Sequence, residues 1–486
     1  MRLQKEGRFA MKRSVFEIFN ICDNYVLYDP IVNMFYKIPR SLYELLENVK
    51  QIECGDEIPK SLINKLEYFN KILGSSKAFQ GYSFAKPQYP FSDKQVEYML
   101  YHRQKQLVLE MTKNCNFRCK YCILSDIYGD NDQYSLGQMS RAVLKKSLDF
   151  FIKTSVDSDS LTISFYGGEP FLCFENIKWC VEYMLKNAIG KKVSFTTTTN
   201  GSLLTEEVID YIVAHDFRIM LSLDGPKPLH DANRILADGQ ATYDIVNSKL
   251  EYIKNLYPHF FEKNIIFHAV VTSRQYTNNV IGFFCDNYTN KFNYSYVQPG
   301  YDEAKFLSKF PKVENVEPIK CVQRDYYQET MKKIKENPYI DDNMTFLYDK
   351  EIAEVLKMRP RENGNSFWPG GTCDIGSRRI FVDIYGRIFP CEKVTYTDGS
   401  DSIGDINSGF DMGKILKIIR DYEDTSERCQ KCWCANMCKR CWKQKNIDEL
   451  YCENMRREIH NQIANSLRVL FDAPDIIKRY DKVDLR

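Results

Sequence analysis

The residues best suited to chemistry in this chain of 486 are its cysteines, 17 in all. Three lie within Cys115 to Cys122 (Cys115-Asn-Phe-Arg-Cys119-Lys-Tyr-Cys122), and eight lie within Cys373 to Cys452. Two groups imply two metal-bearing regions, because soft thiolates suit zinc or iron–sulfur centres. In the first group, three ligands spaced CxxxCxxC on so short a loop leave the fourth corner of an iron–sulfur cubane to a ligand from outside the protein. A structural zinc site would want a fourth Cys or His nearby, and none follows before Cys173. Further along, Gly167-Gly168-Glu169-Pro170 joins a glycine pair, which lets backbone approach a ligand closely, to a carboxylate that answers an ammonium group. The competing reading is a zinc loop beside ordinary turns. The six histidines are scattered with no pair at ligand spacing, which argues against a His-based mechanism.

These groups need a scaffold, and the pattern from about Gln106 supplies one. Strand-like runs at Leu107 to Met111, Leu161 to Phe165, Val193 to Thr198, Ile219 to Leu223, Ile265 to Val271 and Tyr294 to Val297 alternate with helical stretches at 138–154, 174–188, 204–215, 242–256 and 276–287. Six β/α repeats predict an α/β fold with a parallel sheet, open or curled into a partial (β/α)6 barrel, and functional groups at the C-terminal strand ends. One rim then carries the first cysteine group, Gly167 to Pro170, Asn200-Gly201 and Asp224-Gly225. Ahead of it, Val15 to Phe19, Tyr25 to Tyr28 and Asn33 to Tyr36 read as short strands, with Asp29-Pro30 as a turn, and Ser41 to Val49 and Lys60 to Leu73 as helices. This small α+β module precedes a Pro-bearing linker near Lys86 to Phe91. The expected division is 1–100, 101–310, a helical bridge at 311–369, and an irregular cysteine-rich region at 370–486.

Composition narrows the class. Hydrophobic residues make up 44% and charged residues 27%, as in a soluble globular protein. The formal net charge of +2 recruits neither nucleic acid nor anionic membrane. No apolar run approaches the roughly 20 residues that span a bilayer, and the N-terminus lacks a secretory h-region. The expectation is a cytoplasmic protein with no membrane or nucleic-acid partner, whose thiols are reduced unless they hold metal. Cys22, Cys54, Cys173, Cys180 and Cys285 are expected to be small buried residues, while Cys321 stays open as a distant ligand.

CxxxCxxC after the first barrel strand, with the aromatic Tyr121 between the last two cysteines, resembles the signature of radical S-adenosylmethionine (SAM) enzymes. That resemblance implies a 4Fe-4S cluster on Cys115, Cys119 and Cys122, whose open iron is chelated by the cofactor's amino and carboxylate groups. It also implies cleavage of SAM to a 5′-deoxyadenosyl radical. Gly167, Gly168, Glu169 and Pro170 resemble the GGEP motif that holds the methionine amino group. Asn200 and Ser222 match positions that approach the cofactor's carboxylate and ribose, and Tyr121 is placed to pack on adenine.

The second group resembles the SPASM extension of the same superfamily, which holds two auxiliary 4Fe-4S clusters and would bring the total to three. Twelve residues separate Cys373 from Gly386, Gly386 and Cys391 meet GxxxxC, and Cys429, Cys432 and Cys438 fit CxxCxxxxxC. Cys441 follows after two residues where the pattern usually has three. The resemblance implies an outer cluster on Cys429, Cys432, Cys438 and Cys452, and an inner one on Cys373, Cys391 and Cys441. The stretch Phe367 to Thr372, where several relatives carry a fourth inner ligand, contains no Cys. Either Cys434 completes that cluster, or one iron is open and binds a substrate thiolate, the reading favoured here. A double zinc ribbon is the competing interpretation.

Glu392 stands where sulfatase-maturing relatives carry an Asp proposed to take a proton from the substrate, so it is a base or a surface carboxylate. Asp224 is a second catalytic candidate, although its SLDG context also makes an ordinary turn. The front module resembles, in size and element order, the winged-helix-like domain that recognises leader peptides in peptide-modifying radical SAM enzymes. Its would-be recognition helix carries Glu44 and Glu47, a poor phosphate binder. The resulting expectation is a radical SAM/SPASM maturase of the sactipeptide or ranthipeptide type. It would install a thioether in a ribosomally made precursor and draw electrons from a flavodoxin or ferredoxin-type reductant. Carbon–carbon or carbon–oxygen cross-linking, and oxidation of Cys or Ser to formylglycine, are the alternatives within the class; a redox-sensing regulator is the alternative outside it.

Overall fold

The computed structural model describes residues 15–53, 56–73, 84, 86–125, 134–297, 310, 313, 316–319, 322–340, 346, 352–355, 358, 367–368, 373–394, 399–442 and 448–480. Part of the expected helical bridge, together with Cys54 and Cys321, lies outside them. Among the described residues no helix is long and apolar enough to cross a membrane.

Alternation in the first forty residues yields a three-stranded antiparallel meander, β1 (Glu17–Ile21), β2 (Asn24–Asp29) and β3 (Met34–Ile38). Period-two patterning gives this sheet two apolar faces. Phe16, Ile18, Leu27 and Ile38 pack with Leu42, Leu45, Leu46 and Val49 of α1 (Arg40–Lys50) and with Leu66 of α2 (Lys60–Leu73). Phe19, Ile21, Val26 and Tyr28 face the other way, onto Cys434 and the C-terminal helix residues Ile459, Ile463 and Leu467. Cys22 is exposed rather than buried, because it sits in the tight β1–β2 turn at φ 50° beside Asp23 at φ 61°.

After α3 (Asp93–His102), which opens on a Ser92/Gln95 capping box, the chain enters the main sheet. Six strands run parallel in sequence order: β4 (Gln106–Thr112), β5 (Ser160–Gly167), β6 (Lys192–Thr199), β7 (Arg218–Ser222), β8 (Ile265–Val271) and β9 (Phe292–Tyr296). The connecting helices are α4 (Arg141–Lys153), α5 (Phe174–Asn187), α6 (Glu206–Ala214), α7 (Lys227–Asn233), α8 (Tyr243–Leu256), α9 (Pro258–Asn264) and α10 (Thr277–Asn287). Ser140 and Thr205 cap α4 and α6 by accepting the Val143 and Val208 amides at 3.3 Å. The six β/α units expected from the sequence are all present, and the short helices α7 and α9 are additional.

The cysteine-rich region does not stand apart from this sheet. β10 (Arg379–Val382) pairs parallel to β4, and β11 (Arg387–Phe389), β12 (Gly404–Asp405) and β13 (Gly409–Phe410) follow antiparallel, making one ten-stranded sheet. Glu110, fully buried on β4, accepts the Ile384 amide at 3.1 Å and ties the two regions together. After α11 (Val322–Glu336) and α12 (Met412–Thr425), the long helix α13 (Glu449–Asp472), capped by Asp448, runs beneath the front module.

Candidate active site

The loop Cys115–Cys122 leaves the C-terminal end of β4, and the Gly167–Gly168–Glu169 step leaves β5 beside it. The Gly168 amide donates to Thr112 O at 2.7 Å and the Glu169 amide to Asn114 O at 2.9 Å. Glycine is required at this contact. Gly167 has φ +125°, and a Cβ on Gly168 would lie 2.0 Å from Asn114 O. Pro170 follows, buried, at the start of a short 3-10 turn. The Glu169 carboxylate is fully buried and accepts from the Thr199 hydroxyl at 2.8 Å, the Asn200 amide at 2.9 Å and the Phe171 amide at 3.2 Å. Burial raises its pKa to about 7 against the pull of those donors.

Asn200, at the end of β6, bridges the motifs. Its Nδ2 donates to Asn116 Oδ1 at 2.9 Å and reaches Cys115 Sγ at 3.8 Å. The Phe117 amide donates to Cys115 Sγ and the Leu124 amide to Cys122 Sγ, both at 3.4 Å. Burial pushes the Cys115 and Cys119 thiols up to about 12. Thiols so placed stay protonated until a metal displaces the proton, and three soft donors on one loop suit an iron–sulfur centre. Among the described residues no three His, Cys, Asp or Glu side chains close on a common point as a finished metal-binding group. The fit therefore rests on the donor chemistry.

Behind the loop lies a buried network that the sequence does not advertise. Asp224 is 2% exposed; it accepts the Val270 amide at 2.9 Å and the Tyr121 hydroxyl, and pairs with Arg234 Nε at 3.0 Å. The Arg234 guanidinium stands 5.4 Å from the Tyr121 ring centre and reaches Cys119 Sγ at 4.0 Å. Asp224 thus turns inward, toward three partners. Ser222 ends β7 two residues earlier, partly buried on the same rim. His230, fully buried, accepts the Asp224 amide at Nδ1 and meets Thr242 Oγ1 at 3.1 Å. Burial lowers its pKa to about 4, below the usual 6.5. The unfolded chain therefore binds the extra proton between these values, and the stability His230 lends is complete above pH 6.5 and lost as pH falls toward 4. By pH 5 the loss should reach on the order of 2 kcal/mol. Thermal melts between pH 7.5 and 5 should fall steeply for the native chain and less steeply for His230→Asn; parallel slopes would remove His230 as the cause.

The cysteines of the second region separate into two sets. Burial raises the Cys373 thiol to about 12, with the Cys391 and Cys441 thiols close by. Burial likewise raises Cys429 to about 12, with Cys432, Cys438 and Cys452 around it. Cys434 Sγ lies 3.5 Å from Cys432 Sγ, so it keeps company with the second set rather than the first. The hydrogen bond from Cys434 helps hold the Cys432 thiol below its usual value. Glu392, 12% exposed, pairs with Arg379 at 2.5 Å. Tyr166, immediately before Gly167, is the bridging residue missed from the sequence. It meets Phe381 edge-on at 6.4 Å, shares with Cys391 and Trp442 the apolar cluster of Val108, Phe381, Phe389 and Val394, and lies near Glu392 and Cys122. Its position before a glycine pair at a strand end on the working rim is the signal that could have found it.

Residues 109–272 match the family model of the Radical SAM superfamily. The chain carries a radical SAM domain. The chain is an enzyme, and the match of this domain implies SAM and a 4Fe-4S cluster as cofactors. It is 22% identical over 379 residues to a cysteine-type anaerobic sulfatase-maturating enzyme of Clostridium perfringens, covering 72% of this chain and 94% of that one. To the radical SAM cyclopropyl synthase TigE of Paramaledivibacter caminithermalis it is 27% identical over 394 residues, covering 78% and 76%. Among solved structures, anSMEcpe with bound AdoMet matches with a TM-score of 0.56 at 20% identity, over 78% of this chain and 99% of that one. The same protein with AdoMet and a Cp18Cys peptide gives 0.53 at 22% identity, over 75% and 99%. These likenesses support the SPASM-type radical SAM fold.

Proposed function

We propose that the enzyme modifies a ribosomally made peptide, forming a thioether between a cysteine sulfur and an unactivated carbon. The observation that carries this reading is the set Cys373, Cys391 and Cys441, whose Cys391 lies near Tyr166, next to the first cysteine loop. Three cysteines there leave one ligand position of an auxiliary cluster to a substrate thiolate. Relatives that mature sulfatases and a neighbour with a peptide bound support a peptide substrate. Cys115, Cys119 and Cys122 would hold the first cluster, and Cys429, Cys432, Cys438 and Cys452 the outer auxiliary one. When bound, SAM and its cluster supply a carbon radical that takes a hydrogen atom from the peptide.

The chain's own residues do the rest. Glu169 accepts from the cofactor's amino group, Asn200 and Ser222 lie toward its carboxylate and ribose, and Tyr121, held by Asp224 and Arg234, packs on adenine. Asp224 is assigned to that positioning and not to proton transfer. Glu392, steered by Arg379, accepts the proton of the substrate thiol. Joining C–H and S–H as C–S removes two protons and two electrons. One hydrogen leaves with deoxyadenosine; a cluster held by Cys373, Cys391 and Cys441 would offer the remaining electron a way out to the flavodoxin or ferredoxin-type carrier that supplies the electron for SAM cleavage. The front module would hold the precursor's leader.

The test is anaerobic reaction of reconstituted enzyme with SAM, strong reductant and a cysteine-bearing peptide encoded beside it. Loss of two hydrogens together with loss of an alkylatable thiol is the expected product. Loss of the cysteine sulfur would instead mark formylglycine formation, the second reading, which the sulfatase-maturating relatives favour. Two hydrogens lost with the thiol still free would mark carbon–carbon or carbon–oxygen cross-linking. Glu392→Gln is expected to slow product at least about 100-fold while deoxyadenosine still forms. Equal loss of both would show that Glu392 supports binding rather than proton transfer.

A further inference from the structure

The loop from Cys429 to Cys438 faces the front module with almost every residue that is not a cysteine ligand. Gln430 O accepts the Phe84 amide at 3.0 Å. The Trp433 ring meets Phe19 edge-on, with centroids 6.4 Å apart. Ala435 is buried with Val15, Ile31 and Phe84. Asn436 Nδ2 donates to Pro30 O at 2.7 Å and lies 3.4 Å from both Tyr28 Oη and Asn33 Oδ1. Cys434, 2% exposed, lies under Phe19, Ile21, Val26 and Tyr28. Helix α13 completes the surface, stacking His460 on Phe19 at 4.7 Å.

The loop has little regular structure of its own beyond the 3-10 turn Glu427–Lys431. A cysteine-rich segment this short does not hold one shape by burial alone; ligation fixes it, and the metal's binding free energy becomes folding free energy. The same shape fixes Trp433, Ala435 and Asn436. Because the sheet's inner face already has α1 against it, the outer face of Phe19, Ile21, Val26 and Tyr28 is free to use this seat.

We infer that the metal on Cys429, Cys432, Cys438 and Cys452 is the anchor of the front module, so that docking of residues 15–38 onto the enzyme requires this loop to be loaded. The inference rests on the ligand assignment proposed above for these four cysteines. Its role is then structural, and electron traffic falls to the set nearer the first cluster. Linkage makes the effect reciprocal: what loosens the module loosens the metal.

The test uses the full, anaerobically reconstituted chain, with iron and zinc counted and amide exchange followed by mass spectrometry. Cys429→Ser/Cys438→Ser should lose about four irons and exchange β1–β3 amides at least tenfold faster. Phe19→Ala/Asn436→Ala, which leaves every cysteine in place, should keep its iron, exchange the same strands faster, and yield that iron several-fold faster to a chelator. Cys115→Ala/Cys119→Ala/Cys122→Ala should lose different iron and leave β1–β3 protected. Full protection of β1–β3 after the loop has lost its metal overturns the anchor; so does equal loss of protection in all three variants. Zinc in place of iron, with the same dependence, would sink the iron–sulfur assignment and leave the anchor standing. No metal on the four cysteines of the native chain would sink both.

Discussion

A chain with Cys115, Cys119 and Cys122 all replaced by alanine is expected to form no 5′-deoxyadenosine above background, while its iron falls from about twelve to about eight atoms per chain, as three cubanes would give. The fold should survive the change. The loop is pinned from outside its thiols: the Arg118 amide donates to Ile235 O at 2.7 Å, the Lys120 amide to Asn233 O at 3.0 Å, and Phe117 is buried beneath it. Substitutions of this kind typically cost about 0.5–3 kcal/mol each, against a sheet of ten strands whose core includes Phe117 and Cys119 but is built mainly from strand and helix residues outside the loop. Melting temperature, iron content and deoxyadenosine are therefore three separate readouts. Activity lost with iron unchanged would mean that the first loop holds no cluster. About four irons in the native chain, with zinc making up the rest, would mean that the second region is built of zinc sites.

The parts legible in the sequence are those whose signal is local. The six parallel strands declare themselves because each is a short apolar run followed by a helix-length amphipathic stretch, and the rim motifs are contiguous. Helices α7 and α9 escaped because seven residues are too few to show a 3.6 period. Strands β10 to β13, two to four residues each, carry no pattern, and the pairing of Arg379 with Gln106 joins positions far apart along the chain. The inward turn of Asp224 has the same origin. Its partners Tyr121, Arg234 and Val270 arrive from three different loops and strands, so no spacing could show that the carboxylate would be consumed by them. The front module's strands were visible, but their second apolar face was explained only when Trp433 and Asn436 met it.

Glu169→Gln should weaken SAM binding at least about 100-fold with only a modest drop in melting temperature, because it changes charge and hydrogen-bond polarity while keeping shape. Three donors converge on the native carboxylate, from Thr199, Asn200 and Phe171. A carboxamide offers one acceptor oxygen, so at least one N–H would face an NH2 group, at a cost of about 1–3 kcal/mol. The cofactor's amino group would lose a charge-assisted partner in a fully buried site, worth a further 1.5–3 kcal/mol or so. The two costs separate experimentally, since the first falls on the fold and the second only on the complex. The raised pKa of about 7 gives a further signature. An amino group that donates to Glu169 favours the ionised carboxylate, so native affinity should rise as pH climbs through 7, and more steeply than in the Gln variant, where only the cofactor's own α-amino group still titrates. Equilibrium binding of SAM to the iron-loaded protein at pH 6 and pH 8 decides the matter. Native affinity that is flat across this interval, together with a Gln variant that binds as tightly as the native chain, would show that Glu169 braces Thr199 and Asn200 and never meets the cofactor.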